Sequence, residues 1–82
     1  MSKVPNRTSE IAECIRKSLE KYFRDLDGAK PGPVYDMVLH AIEKPTLEVV
    51  LDLAGGNQTV AAEILGINRN TLRKKMQFHR IA

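Results

Sequence analysis

Apolar residues recur at Ile11, Ile15, Leu19, Tyr22, Phe23 and Leu26, at intervals of three and four that place them along one side of an α-helix. Thr8 and Ser9 are both able N-caps for this helix, and Glu10 and Glu13 suit the positive end of its dipole. The stripe stops at DGAKPGP, where two glycines and two prolines in seven residues break any helix. A second stripe starts after Pro33, a residue tolerated in a first turn, and runs Val34, Val38, Ile42, Val49, Val50, Leu53. Pro45 interrupts it. Because apolar residues resume at Leu47 with no polar linker, the pattern predicts one kinked helix, ended by Gly55 and Gly56.

Two shorter helices follow in GNQTVAAEILGINRNTLRKKM, residues 56–76. Asn57 to Thr59 offer capping side chains, and Ala61, Ala62, Ile64 and Leu65 form the expected packed face of the first. A small residue at 62 and a glycine at 66 are what two helices need to approach closely across a short turn, the helix-turn-helix arrangement. Ile67 and Leu72 then plug the core, and Asn68 caps the last helix. At 100° per residue, Leu72, Met76 and His79 share its inward side. Asn70 and Lys74 point away, with Arg69 and Arg73 on one flank and Thr71 and Lys75 on the other. No alternating run is long enough for a sheet, so the expected fold is all-α with four helices.

Composition sharpens this picture in two places. A lone 82-residue chain buries a modest core. With Cys14 as its single cysteine, no intrachain disulfide can add to it. Self-association is the expected source of further burial. The net charge of +3 is uninformative as a total, but Arg69, Arg73, Lys74, Lys75 and Arg80 all fall in residues 68–82, which hold no acid. The rest of the chain carries 8 basic against 10 acidic groups.

A cationic helix of this kind suits DNA. Guanidinium groups near its start can donate two hydrogen bonds to guanine, lysine and threonine anchor phosphates, and helix N-termini offer backbone N–H groups. The bland alternative is a solvated terminal helix whose cations complement its dipole. A rival from another class is a helical module that dimerises and docks a protein partner.

Other chemistries find little support. His40 and His79 lie far apart in the sequence, and with one cysteine there is no ligand cluster of metal spacing, so no metal or other cofactor is expected. Cys14 reads as a small buried hydrophobe, and Tyr22 and Phe23 as packing residues rather than base-stacking platforms. No nucleophile, base and orienting group converge, so an enzyme is not expected. The start MSKVPNRTSE lacks a signal-peptide apolar region, and no apolar run is long enough to span a membrane, which predicts a soluble cytoplasmic protein.

In GNQT and GINRNTLRKK, and upstream in SLEKYFRDLDG, VYDMVL and Glu43 to Pro45, the chain resembles the Fis family, bacterial nucleoid proteins named for the factor for inversion stimulation. Their helix-turn-helix is shared with the C-terminal domains of NtrC-type regulators. The resemblance spans roughly residues 11–76 and implies an intertwined homodimer that binds and bends double-stranded DNA, regulates transcription and resides in the bacterial nucleoid. RNA polymerase is a candidate second partner. The resemblance implies a flexible segment over residues 1–8, dimerisation helices over 9–55 and the DNA-binding region over 56–82. The dimer contacts would come from Ile11, Ile15, Leu19, Tyr22, Phe23, Leu26, Val38 and Ile42.

By the same resemblance, Asn68 and Arg69 match the base-contacting pair. Thr71, Arg73 and Lys74 match phosphate positions, while Asn57, Gln58 and Thr59 match backbone contacts. Asn70 and Lys75 complete the expected DNA-facing set. Val60, Gly55 and Asn70 depart from the best-known members, which carry arginine, another basic residue and glycine there; the first two departures imply weaker flanking contacts. Only about eight residues precede the first helix, too few for the β-hairpin arms that activate recombinases. Met1 and the family-like first helix favour a complete chain over the detached end of a larger regulator.

Overall fold

The structure is a computed structural model that describes residues 7–81. The segment expected to be flexible lies outside the described residues apart from Arg7 and Thr8. Four helices follow one another, α1 (Thr8–Leu26), α2 (Val34–Leu53), α3 (Gln58–Leu65) and α4 (Arg69–Phe78), and no strand occurs among the described residues. The all-α expectation holds. Between Val38 and Leu39 the chain divides into two compact units.

The first unit holds α1, the loop after it and the start of α2. The helix begins at Thr8 with Arg7 in the N-cap position, so neither Thr8 nor Ser9 is the cap. Arg7 supplies the first helical carbonyl, which accepts from Ile11 N–H at 3.0 Å. Arg7 with Glu10 and Glu13 with Arg16 form ion pairs one turn apart, at 2.8 and 2.6 Å; both are exposed and add little to stability. The helix ends at Asp27, in the left-handed region at φ 48°, directly before the predicted break. Across the loop, Gly32 N–H donates to the Tyr22 hydroxyl at 3.2 Å. No residue of α1 is fully buried, and Cys14, expected to be a buried hydrophobe, is exposed.

In the second unit, Leu47 and Leu51 of α2 pack with Ala61, Ala62, Leu72 and Met76, and Val50, Ala54, Leu65, Ile67 and Ile81 surround them. Helices as short as α3 and α4 cannot enclose a core by themselves. They need the C-terminal half of α2 as a third wall. The compact unit accordingly begins at Leu39 and takes in the C-terminal part of α2 with both short helices. The helix α2 continues through Pro45. Proline has no N–H for the carbonyl four residues earlier, and in the next register Thr46 Oγ1 donates to the Ile42 carbonyl at 2.6 Å.

The predicted apolar faces were partly misplaced. At 100° per residue, Leu47, Val50, Leu51 and Ala54 cluster on one side of α2, while Val49 and Leu53 fall on the opposite side. Those two are 60% and 75% exposed. In α3 the enclosed face is Ala61, Ala62 and Leu65. Ile64, turned roughly 100° from the centre of that face, is 57% exposed instead of packed.

Candidate nucleic-acid interface

Asn57 Oδ1 accepts from Val60 N–H at 3.1 Å and so caps α3. At the other end, Gly66 adopts φ 73°, with Gly66 N–H donating to the Glu63 carbonyl and Ile67 N–H to the Ala62 carbonyl. This pair of bonds is the Schellman arrangement, which requires a left-handed residue at its centre. A Cβ at residue 66 would meet nothing within 4 Å. Glycine is thus needed for its backbone angle rather than for space, and the small residues enclosed on α3 are Ala61 and Ala62.

Two residues later Asn68 caps α4, its Oδ1 accepting from Asn70 N–H at 2.7 Å and its carbonyl from Leu72 N–H at 3.0 Å. With Oδ1 engaged in the cap, the Asn68 amide NH₂ is the side chain's hydrogen-bond donor. Leu72 is 0% exposed, and Met76 and His79 lie on the same enclosed side, as the periodicity predicts. That side fixes what the others present. Arg69, Asn70, Thr71, Arg73 and Lys74 are all exposed, and Asn70, Arg73, Lys74 and Gln77 line a shallow hollow along the outer face. Gln77 belongs with this group through its spacing of three and four from Lys74 and Arg73. Asn57 and Thr59 are exposed at the start of α3, and Gln58 is half-buried.

Lys75, expected among the DNA-facing cations, is half-buried and ion-paired within its own unit. Its ammonium donates to Glu43 Oε2 of α2 at 2.7 Å, while Glu43 Oε1 lies 2.8 Å from His79 Nε2. An ionised carboxylate only accepts, so His79 donates through Nε2. The two hydrogen bonds, Lys75 first, hold the Glu43 carboxyl below the usual carboxylate range against the opposing effect of its burial. Periodicity within α4 could not find this group, because Glu43 is 32 and 36 residues from its partners.

His40 and His79, distant in the sequence, also converge here. Their ring centroids lie 6.0 Å apart, and the Phe78 ring lies 4.7 Å from that of His40 at a tilt of 46°. Among the described residues no group of three or more His, Cys, Asp or Glu has the geometry of a metal site, and no helix is long and apolar enough to cross a membrane.

Residues 38–78, which include the C-terminal half of α2 and both short helices, match the family described as bacterial regulatory protein, Fis family. A protein of Ralstonia nicotianae named as a candidate Fis-like DNA-binding protein is 64% identical over 69 residues, covering 84% of this chain and 90% of its own. One of the same description from Neisseria meningitidis is 54% identical over 76 residues, covering 93% and 96%. The DNA-binding protein Fis of Glaesserella parasuis is 46% identical over 67 residues, covering 82% and 68%. A turn built on Gly66, a polar-capped cationic helix and similarity along most of the chain lead to one assignment: this protein belongs to the Fis family.

Proposed function

We propose that the protein binds double-stranded DNA as a homodimer through α4, bends it, and acts as a sequence-tolerant transcriptional regulator in the bacterial nucleoid. The observation that carries this is the division of α4 into an enclosed side, Leu72 and Met76, and an exposed side holding Arg69, Asn70, Thr71, Arg73 and Lys74. Arg69, at the first turn, is suited to guanine edges in the major groove, with Asn68 beside it. Thr71, Arg73 and Lys74 take phosphates, and Asn57, Gln58 and Thr59 add contacts at the positive end of the α3 dipole. The names of the relatives, which speak of DNA binding, agree with this reading.

Dimerisation is supported by apolar surface that each unit leaves open. Ile11 and Phe23 on α1 are exposed, as are Ile42, Val49 and Leu53 on α2, apolar side chains that a second copy of the chain would cover. A dimer would present two copies of α4, and a fixed spacing between them would select for deformable DNA, so that shape contributes to site choice.

The deciding experiment measures affinity for random and A-tract duplexes as salt is varied. The two cations assigned to phosphates, Arg73 and Lys74, on each of two helices, at about 0.9 per neutralised phosphate, predict a log–log slope of about −4. Negligible binding at low salt would refute the proposal and favour a protein-docking module.

A further inference from the structure

We propose that Glu43 is a positioning residue for the DNA-binding helix: it holds Lys75 and His79 against α2 and so withdraws the Lys75 cation from the set that meets phosphate. This rests on the DNA-binding reading above and deepens it. Both carboxylate oxygens are used, one for each partner, at 2.7 and 2.8 Å. The Glu43 side chain is 18% exposed and that of His79 only 6%. The carboxylate and imidazole are thus largely shielded from water, while the Lys75 side chain is 37% exposed and its ion pair is screened in part. Lys74, the next residue along, is exposed, and among the described residues it takes part in no ion pair. Two adjacent lysines with the same side chain thus differ in what their charge does.

The physical consequence concerns counterions. A cation already neutralised by a carboxylate releases no counterion from DNA when the helix docks, so it adds nothing to the salt dependence of binding. Lys75 lies four residues after the exposed Thr71, on the same flank of α4. If the carboxylate is removed, the ammonium can swing to that flank and reach the backbone that Thr71 is proposed to touch. The anchoring also has a positional side, since it secures the last turns of α4 through Lys75 and His79 together.

The test compares salt slopes for the full chain and three variants on one duplex. Glu43→Gln keeps size and an acceptor oxygen but removes the charge. Its slope should steepen by about 0.9 per half-site, or about 1.8 for a dimer. Lys75→Met alone should leave the slope at the wild-type value, and adding Lys75→Met to Glu43→Gln should restore that value. A purely structural role for Glu43 would change stability without this pattern. The inference is overturned if Glu43→Gln leaves the slope unchanged or flatter, or if Lys75→Met by itself lowers it by about 0.9 per half-site. Should Glu43→Gln fail to fold, the Lys75→Met slope decides the matter alone. Absence of salt-dependent binding by the unaltered chain would defeat the DNA reading, and this inference with it. A normal wild-type slope with the wrong variant pattern would defeat this inference only.

Discussion

Replacing Gly66 by alanine isolates one contribution to the turn between α3 and α4. The residue sits at φ 73°, and an added Cβ would meet nothing within 4 Å, so no clash enters the balance. What remains is the strain of an L-residue in the left-handed region, about 1 to 2 kcal/mol. The smaller entropy of an unfolded alanine chain offsets up to about 0.4 to 1 kcal/mol of it. The expected net loss is about 1 kcal/mol, or a fall of about 4 to 8 °C in Tm for a domain of this size. Asparagine, which tolerates this conformation better, should fall between glycine and alanine. Arg80 provides the converse case. It occupies φ 56° in a turn where Arg80 N–H donates to the Gln77 carbonyl and Ile81 N–H to the Met76 carbonyl. Arg80→Gly should therefore stabilise by about 0.5 to 1 kcal/mol by the same reasoning. Thermal unfolding followed by far-ultraviolet circular dichroism, at one fixed protein concentration because association moves midpoints, reads both. A loss above about 3 kcal/mol for Gly66→Ala would reveal a steric conflict that strain of this size does not supply. Stabilisation would show that residue 66 is not left-handed in solution.

Other residues give independent tests. Leu72→Ala, at a site with 0% exposure, should cost about 3 to 5 kcal/mol in urea unfolding; a loss below about 1 kcal/mol would mean the core is not closed there. Glu43→Gln should destabilise by about 1 to 3 kcal/mol at neutral pH, from the lost charged hydrogen bonds. Because the folded carboxyl is held below its usual range, its stabilisation is present above about pH 5 and fades as pH falls through the folded value. Wild type and variant should converge in acid, and a gap that widens there would reverse the assignment. Arg69→Ala should blur discrimination among duplexes by about 1 to 3 kcal/mol per half-site, whereas Lys74→Ala should weaken all duplexes alike. An unchanged ranking of duplexes in Arg69→Ala would remove Arg69 from base reading. Unfolding midpoints should rise with protein concentration if the chain dimerises, and a sedimentation profile showing only monomer would contradict dimerisation.

The parts of the structure legible in the sequence are those set by neighbours a few residues away. Asn57 and Asn68 are recognisable as caps because the bond each makes is local, to Val60 and Asn70. The sidedness of α4 follows from Leu72, Met76 and His79 on one face. Where two apolar sets share a helix, periodicity alone does not say which of them meets the core of its own unit. On α2, the sequence stripe takes in Val49 and Leu53, which are exposed, along with Val50, which packs beside the enclosed pair Leu47 and Leu51. Contacts across long separations were invisible, as the Glu43 cluster and the proximity of His40 to His79 show. The role of Gly66 was misassigned for a related reason: a glycine in a turn serves either space or backbone angle, and only the open surroundings of its Cα distinguish them.

The most direct test of the central claim, that α4 presents the DNA-binding surface, is to follow backbone amide resonances of the full chain as a short duplex is added. The largest shifts are expected at residues 57–59 and 68–74, with Leu47 and Leu51 moving little. Shifts centred on α1, or none at duplex saturation, would contradict it.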